Sequence, residues 1–225
     1  MSPSETIMLT HVKARLALHH LADGVGRPLL LLHGLGEASP TSVPSSAAAW
    51  PGPVWALDFT GHGASTVPLG GGYTSEMLMA DVDIAIAHLG NVTILGRGLG
   101  GYVALLIAGA RSKEVRGSII TDGPGLFGGP NSGPSSAHIL TVAHPPTEHE
   151  RPSPDPFALI ELSTDVRPPD YAANFARMAA HMSDLDRPLT VAARGRSPWI
   201  DAVVQEVGVD TDSVEAALAN YARVT

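Results

Sequence analysis

Apolar residues in this chain fall into short unbroken runs that end in glycine-rich turns, separated by longer stretches with helical spacing. Leu29–Leu32 is four leucines in a row, and Val54–Leu57 and residues 92–95 are similar runs. Runs with no polar alternation belong to strands covered on both faces. Val115–Thr121 and residues 189–193 continue the series. Residues 12–21 alternate instead, with Val12, Ala14, Leu16 and Leu18 on one face, which predicts an edge strand. Helical spacing runs over residues 73–89, with Met77, Leu78, Val82, Ala85, Ile86 and Leu89 on the core face. It recurs over 102–110 and 212–224. Residues 39–53, rich in Pro, Ser and Ala, predict an irregular loop with a short helix.

Three of the strand-like runs end in turns that carry polar residues. They are His33-Gly34-Leu35-Gly36, then Asp58-Phe59-Thr60-Gly61-His62-Gly63-Ala64-Ser65, and finally Gly96-Arg97-Gly98-Leu99-Gly100-Gly101. In order and spacing these resemble the α/β-hydrolase superfamily, closely over residues 5–125 and loosely beyond. They correspond to an HGxG loop supplying an oxyanion-hole amide, a DxxGHGxS turn and a GxSxG nucleophile elbow. The resemblance implies an α/β fold with a mostly parallel sheet, helices on both faces, and an eighth strand that is reduced or absent. It also implies one domain over 1–225 with a cap-like insertion at about 123–188. The first half of that insertion, rich in Pro and Gly, reads as loop, and its second half as two helices, Pro156–Thr164 and Pro169–Met182.

At the elbow the chemistry departs from the family. Where the resemblance places an attacking serine stands Gly98, with no side-chain atom to attack a carbonyl. Ser65, Ser118 and Ser132 each lack a flanking glycine that such a turn requires. The family acid after the seventh strand would fall near Ser197, where no carboxylate stands; Asp122, after the sixth strand, is the alternative acid, or simply a carboxylate that caps the next turn. The family histidine follows the eighth strand, yet the last of the ten histidines is His181, before the seventh strand. Losing the nucleophile of a serine triad costs on the order of 10⁶ in turnover, so efficient ester hydrolysis is not expected. A single laboratory substitution at Gly98 would leave the missing acid and base unexplained.

The resemblance makes His33, Gly34, Leu35, Arg97, Gly98 and Leu99 the oxyanion-hole or ligand-binding set. With Leu35 and Leu99 offering N–H groups, a vacant hole could hold a carboxylate, phosphate or carbonyl oxygen. Arg97 either serves such a ligand beside the helix N-terminus or pairs with Asp58 or a cap carboxylate. His33 is expected to orient the oxyanion loop and His62 to play a structural part; His19 and His20 point to opposite faces of a strand and cannot share a metal. His138, His144 and His149, near Glu148 and Glu150, fit no standard zinc spacing. Neither a metal nor a cofactor is therefore expected.

Three functions remain open. The first is a catalytically silent relative that binds a small, partly apolar molecule under its cap or acts as a partner scaffold. The second is an enzyme of the same fold with non-serine chemistry, in which His33 or Asp122 moves a proton, or with residual ester hydrolysis. The third is a dinucleotide binder, since Gly96, Gly98 and Gly101 also spell GxGxxG with Asp122 downstream. Against the third, two strands with hydrolase-type endings come first.

Bulk properties narrow the partners. The 225 residues suit one domain with a substantial core, and 44% hydrophobic content with a mean hydropathy of +0.12 suits a buried sheet. A net charge of −8 without a basic cluster argues against nucleic acid and anionic membranes, and the absence of cysteine excludes thiolate chemistry. The first ten residues lack the basic start and apolar stretch of a signal peptide, and no apolar run nears the length of a bilayer span. A cytoplasmic location and a small-molecule ligand are the expectation, with homo-oligomerisation open. Two lysines against twelve arginines fit a GC-rich bacterial coding sequence.

Overall fold

A computed structural model describes residues 5–129 and 152–224. Eight strands form one sheet: β1 (Glu5–His11), β2 (Ala14–Ala22), β3 (Leu29–Leu32), β4 (Val54–Leu57), β5 (Val92–Arg97), β6 (Val115–Thr121), β7 (Leu189–Val191) and β8 (Val209–Thr211). The spatial order is β1-β2-β4-β3-β5-β6-β7-β8. β1, β2 and β4 pair antiparallel; every pairing from β4 through β3 to β8 is parallel. The leucine run of β3 lies mid-sheet with all four residues buried, as expected for a strand packed on both faces.

Alternate strand residues serve two cores. Leu16, Leu18, Leu30, Leu32, Leu57 and Ile94 face a large cluster with α1 (Ser75–Leu89), α2 (Leu99–Ala110), α4 (Pro169–Met182) and α5 (Pro198–Val203). Leu29, Leu31, Val54, Ala56, Leu95 and Ile119 face a smaller one with Ala47, Trp50 and α6 (Val214–Tyr221). α2 is apolar all round and almost wholly buried, because the sheet, α1 and α4 enclose it. α3 (Pro156–Thr164) and α4 begin with the prolines that marked them in the sequence, a residue type whose fixed φ suits the first helical turn. α4 packs on α2 and α5 through Ala172, Ala176 and Ala179. α3 is tied to the segment before α1 by Glu161, which accepts from the Gly72 and Tyr73 amides, and by Tyr73, which donates to Asp155. A single 3-10 turn at Ser45–Ala47 is the short helix of the 39–53 loop.

Residues 12–21 do not form the edge strand that their alternation predicts. The edge strand is β1, and β2 lies inside it, paired on both sides. Val12 belongs to no core face: it sits in the two-residue turn between these strands at φ 56°, 86% exposed. Leu16, Ala17 and Leu18 are all fully buried, so alternation within β2 is broken by the cover on its other side. The eighth strand is present and reduced, three residues at the sheet edge. The Pro- and Gly-rich stretch at 130–151, with Ser132, His138, His144, His149, Glu148 and Glu150, lies outside the described residues.

Candidate functional site

The site forms where β3, β5, β6 and β7 end. β5 is buried up to Gly96, the chain reverses at Gly98 with φ 57° and ψ −118°, and α2 starts at the next residue. This sharp strand-turn-helix junction is the elbow geometry that the glycine spacing implied. A Cβ built on Gly98 would lie 2.0 Å from the Pro124 carbonyl oxygen and 2.6 Å from the Gly123 carbonyl carbon. Main chain of the turn after β6 thus fills the space into which a side chain at the apex would project.

The two amides expected to form the oxyanion hole do converge. Leu35 N–H and Leu99 N–H both donate to one oxygen, the Pro124 carbonyl, at 3.0 and 2.9 Å. Those are the distances at which paired amides stabilise an oxyanion. The chain's own Pro124 carbonyl thus takes both amides. Amide groups withdrawn from water need acceptors, and with no serine to fill the apex the 123–125 turn can come close enough to provide one.

Side chains lace the surrounding loops together. Arg97 donates through Nε to Glu37 at 3.0 Å and through Nη1 to the Asp122 carbonyl at 3.0 Å. Glu37 also accepts from the Gly34 amide, so it holds its own loop to the elbow. Among the described residues Arg97 therefore pairs with Glu37 and not with Asp58 or another carboxylate. Asp58 takes His19 Nε2 at 2.9 Å together with the Ser39 and Ala64 amides. Burial pushes the Asp58 carboxyl up, but those hydrogen bonds outweigh it and hold the group below the usual carboxylate range. Asp122 caps a turn other than its own, accepting the Arg194 and Gly195 amides beyond β7 at 2.8 Å each. Among the described residues none of its hydrogen bonds is to a histidine.

Both histidines of the site have their ring nitrogens engaged. Phe59 N–H donates to His33 Nε2, so Nδ1 carries the proton and donates to the Gly34 carbonyl. Burial lowers the His33 pKa to about 4, which keeps the ring neutral. His62 is bound the same way, accepting from Gly36 N–H at Nε2 and donating from Nδ1 to the Thr60 carbonyl, and burial lowers its pKa too. His19 contacts Asp58 while His20 stacks on Trp55, so the adjacent pair is split as expected.

A model of the alpha/beta hydrolase family matches residues 29–224. The chain belongs to the alpha/beta hydrolase family. Among solved structures, a hypothetical protein of Pseudomonas aeruginosa PAO1 aligns over 98% of this chain and 97% of its own at 18% identity, with a TM-score of 0.62. The haloalkane dehalogenase DatA of Agrobacterium tumefaciens C58 aligns over 98% of both chains at 16% identity and a TM-score of 0.61. A thioesterase domain from the curacin biosynthetic pathway covers 97% of both at 17% identity, TM-score 0.58. At such identities the likeness speaks for the fold. No curated protein matches the sequence.

In this alpha/beta hydrolase relative, the linkers that follow β7 and β8 are short. Between β7 and α5 run Ala192 to Ser197, none of them a carboxylate, and Ser197 caps α5. Only Asp212 and Ser213 separate β8 from α6, and Ser213 caps that helix. The GxGxxG glycines belong to the elbow, and the amides a pyrophosphate would need are in use: Gly98 N–H goes to Thr121, Leu99 N–H to Pro124 and Gly100 N–H to His33. Among the described residues no three His, Asp or Glu side chains gather as a metal site. A cavity of about 560 Å³ opens beside the elbow, with Leu31, Leu95 and Val214 as apolar wall and Glu37, Arg97 and Asp122 at its polar end. The Pro124 carbonyl and Glu37 were missed by sequence reading. Gly123-Pro124-Gly125 announced a turn, but nothing in its composition says where a turn lands.

Proposed function

We propose that this family member does no serine-type hydrolysis and works as a non-catalytic binding protein for a small, partly apolar molecule, held in the cavity beside Arg97. One observation carries the reading: the Pro124 carbonyl accepts from Leu35 N–H and Leu99 N–H, in the place where a substrate's oxyanion would be stabilised. A substrate carbonyl would have to displace it before any chemistry began. The lack of a nucleophile at Gly98, of a carboxylate in the linker after β7 and of a histidine in the linker after β8 points the same way. The insertion at 123–188 then acts in place of a cap, since its first residues close the elbow.

Non-serine chemistry finds less support. His33 has both nitrogens bonded and is held neutral, and Asp122 holds two amides, so neither stands ready to carry a proton. The test is a serine-reactive fluorophosphonate together with a panel of p-nitrophenyl esters, applied to the wild type and to Gly98→Ser. No labelling and no turnover above background are expected in either. Labelling of Ser at 98, or ester turnover at ordinary enzyme rates, would show that a base has been overlooked.

A further inference from the structure

The two edges of the sheet are built differently. β8, at one edge, is three residues long with Asp210 at its centre, the short and charged form that discourages pairing with another chain. β1, at the other edge, is seven residues long, contains no Pro, Lys or Arg, and pairs with β2 at all seven positions without a register shift. It carries none of the devices that usually guard an edge.

The main-chain groups that this edge presents can be identified. In an antiparallel pair, residues whose N–H and C=O face the partner strand alternate with residues whose groups face away. Arg15 and Ala17 of β2 face away from β1. Arg15 N–H donates to Thr66 Oγ1 and its carbonyl accepts from Thr66 N–H, while Ala17 N–H donates to Ser65 Oγ and its carbonyl accepts from Asp58 N–H. Thr10 and Met8 stand opposite these two residues and Thr6 continues the alternation, so the main-chain groups of all three point to the open edge. Among the described residues, β2 is the one strand paired with β1.

The strand is also close to its own mirror image, Glu5-Thr6-Ile7-Met8-Leu9-Thr10-His11. Laid antiparallel to a second copy and centred on Met8, it sets Met8 against Met8, Ile7 against Leu9, Thr6 against Thr10 and Glu5 against His11. The half-buried Ile7, Met8 and Leu9 then meet apolar side chains, threonine meets threonine, and a carboxylate faces an imidazole whose Nδ1 lies 3.5 Å from Asp81. The same register brings Thr6, Met8 and Thr10, the residues with outward groups, opposite one another as hydrogen-bonded pairs. Sliding one copy by two residues would set Thr6 against Met8 and Glu5 against Leu9. Sliding it by one would set outward groups against inward ones.

We infer that β1 is a homodimer interface, pairing antiparallel with β1 of a second copy about a two-fold axis at Met8, so that one sheet runs through both molecules. The contact uses the same strand on both sides and therefore closes at two copies, leaving the short β8 at each end of the joined sheet. The interface does not depend on whether the elbow is catalytic.

Analytical ultracentrifugation from low micromolar to near-millimolar concentration tests it, with amide hydrogen exchange measured at both ends of that range. The mass is expected to rise reversibly from that of one chain to that of two and no further. The Thr6, Met8 and Thr10 amides should exchange about tenfold more slowly at the high concentration. Thr6→Lys/Thr10→Lys opposes like charges twice and should keep the protein monomeric, whereas Thr6→Lys/Thr10→Glu opposes unlike charges in this register and should restore the dimer. Both positions are exposed, and both variants lose the Thr6 hydrogen bond to His19 equally, so the comparison between them isolates the interface. A wild type that stays monomeric throughout, growth past two copies, or a dimer whose Thr6, Met8 and Thr10 amides remain unprotected would each overturn the assignment. So would a dimer that survives the paired lysines, or a Lys/Glu variant that stays monomeric.

Discussion

Gly98 is held at φ 57° with the Pro124 oxygen 2.0 Å from where a Cβ would stand. Any side chain there must change the backbone or push the 123–125 turn off the Leu35 and Leu99 amides. Left-handed φ costs a non-glycine residue about 1–3 kcal/mol, and stranding an amide costs a similar amount. Gly98→Ser and Gly98→Ala should therefore lose similar stability, at least about 2 kcal/mol, in urea unfolding. A serine variant as stable as the wild type would mean the turn yields easily. Val12 presents the opposite case, a β-branched residue at φ 56° in an exposed turn. Val12→Gly is expected to gain about 1 kcal/mol, read as a higher melting temperature. At this scale the sequence was legible wherever chemistry is a matter of residue identity, as with the glycine at the strand-to-helix turn. It was silent on partners: that Arg97 meets Glu37, or that Asp122 holds the Arg194 and Gly195 amides, depends on residues 60 and more than 70 positions apart.

Elements were largely legible from their patterns. β3, β4, β6, α3 and α4 match their predicted limits because strand cores and proline-started helices carry strong local signals. β1 was missed, since Thr6, Thr10 and His11 dilute its apolar positions and only pairing with β2 makes it a strand. The turn after β6 behaves as an element with one task, placing the Pro124 carbonyl. Amides in the first turn of a helix ordinarily lack partners and exchange freely. Here the Leu99 and Leu35 amides should exchange slowly with deuterium, at rates like those of the β3 core. Rapid exchange at both would mean that the oxyanion hole is open in solution. Asp122→Ala, which frees two amides at the end of β7, should cost about 1 kcal/mol in chemical unfolding.

For the whole molecule, the buried histidines make stability depend on pH. The His33 pKa lies at about 4 when folded, against an ordinary 6.5, so between these values the unfolded chain binds a proton that the folded chain refuses. Stability is complete above 6.5 and falls as pH drops toward 4, by on the order of 3 kcal/mol from this group. His62, also lowered, adds to the loss, and so does Asp58 at still lower pH. Asp81, raised by burial, works the other way: its contribution is greatest when protonated and fades as pH rises. Thermal melts between pH 7.5 and 4 should show a steady fall, and His33→Gln should flatten its slope. A flat profile for the wild type would contradict the burial of both rings.

Fold class lay within reach of the sequence alone, because strand and helix are local choices. Three glycine turns in fixed order after buried runs leave few alternatives, and the glycine at position 98 is a fact of sequence. Whether the amide pair beside that glycine stood empty was decided only by tertiary structure. A carbonyl oxygen is the same atom in every residue, so no pattern of side chains reveals which one swings across to fill a hole.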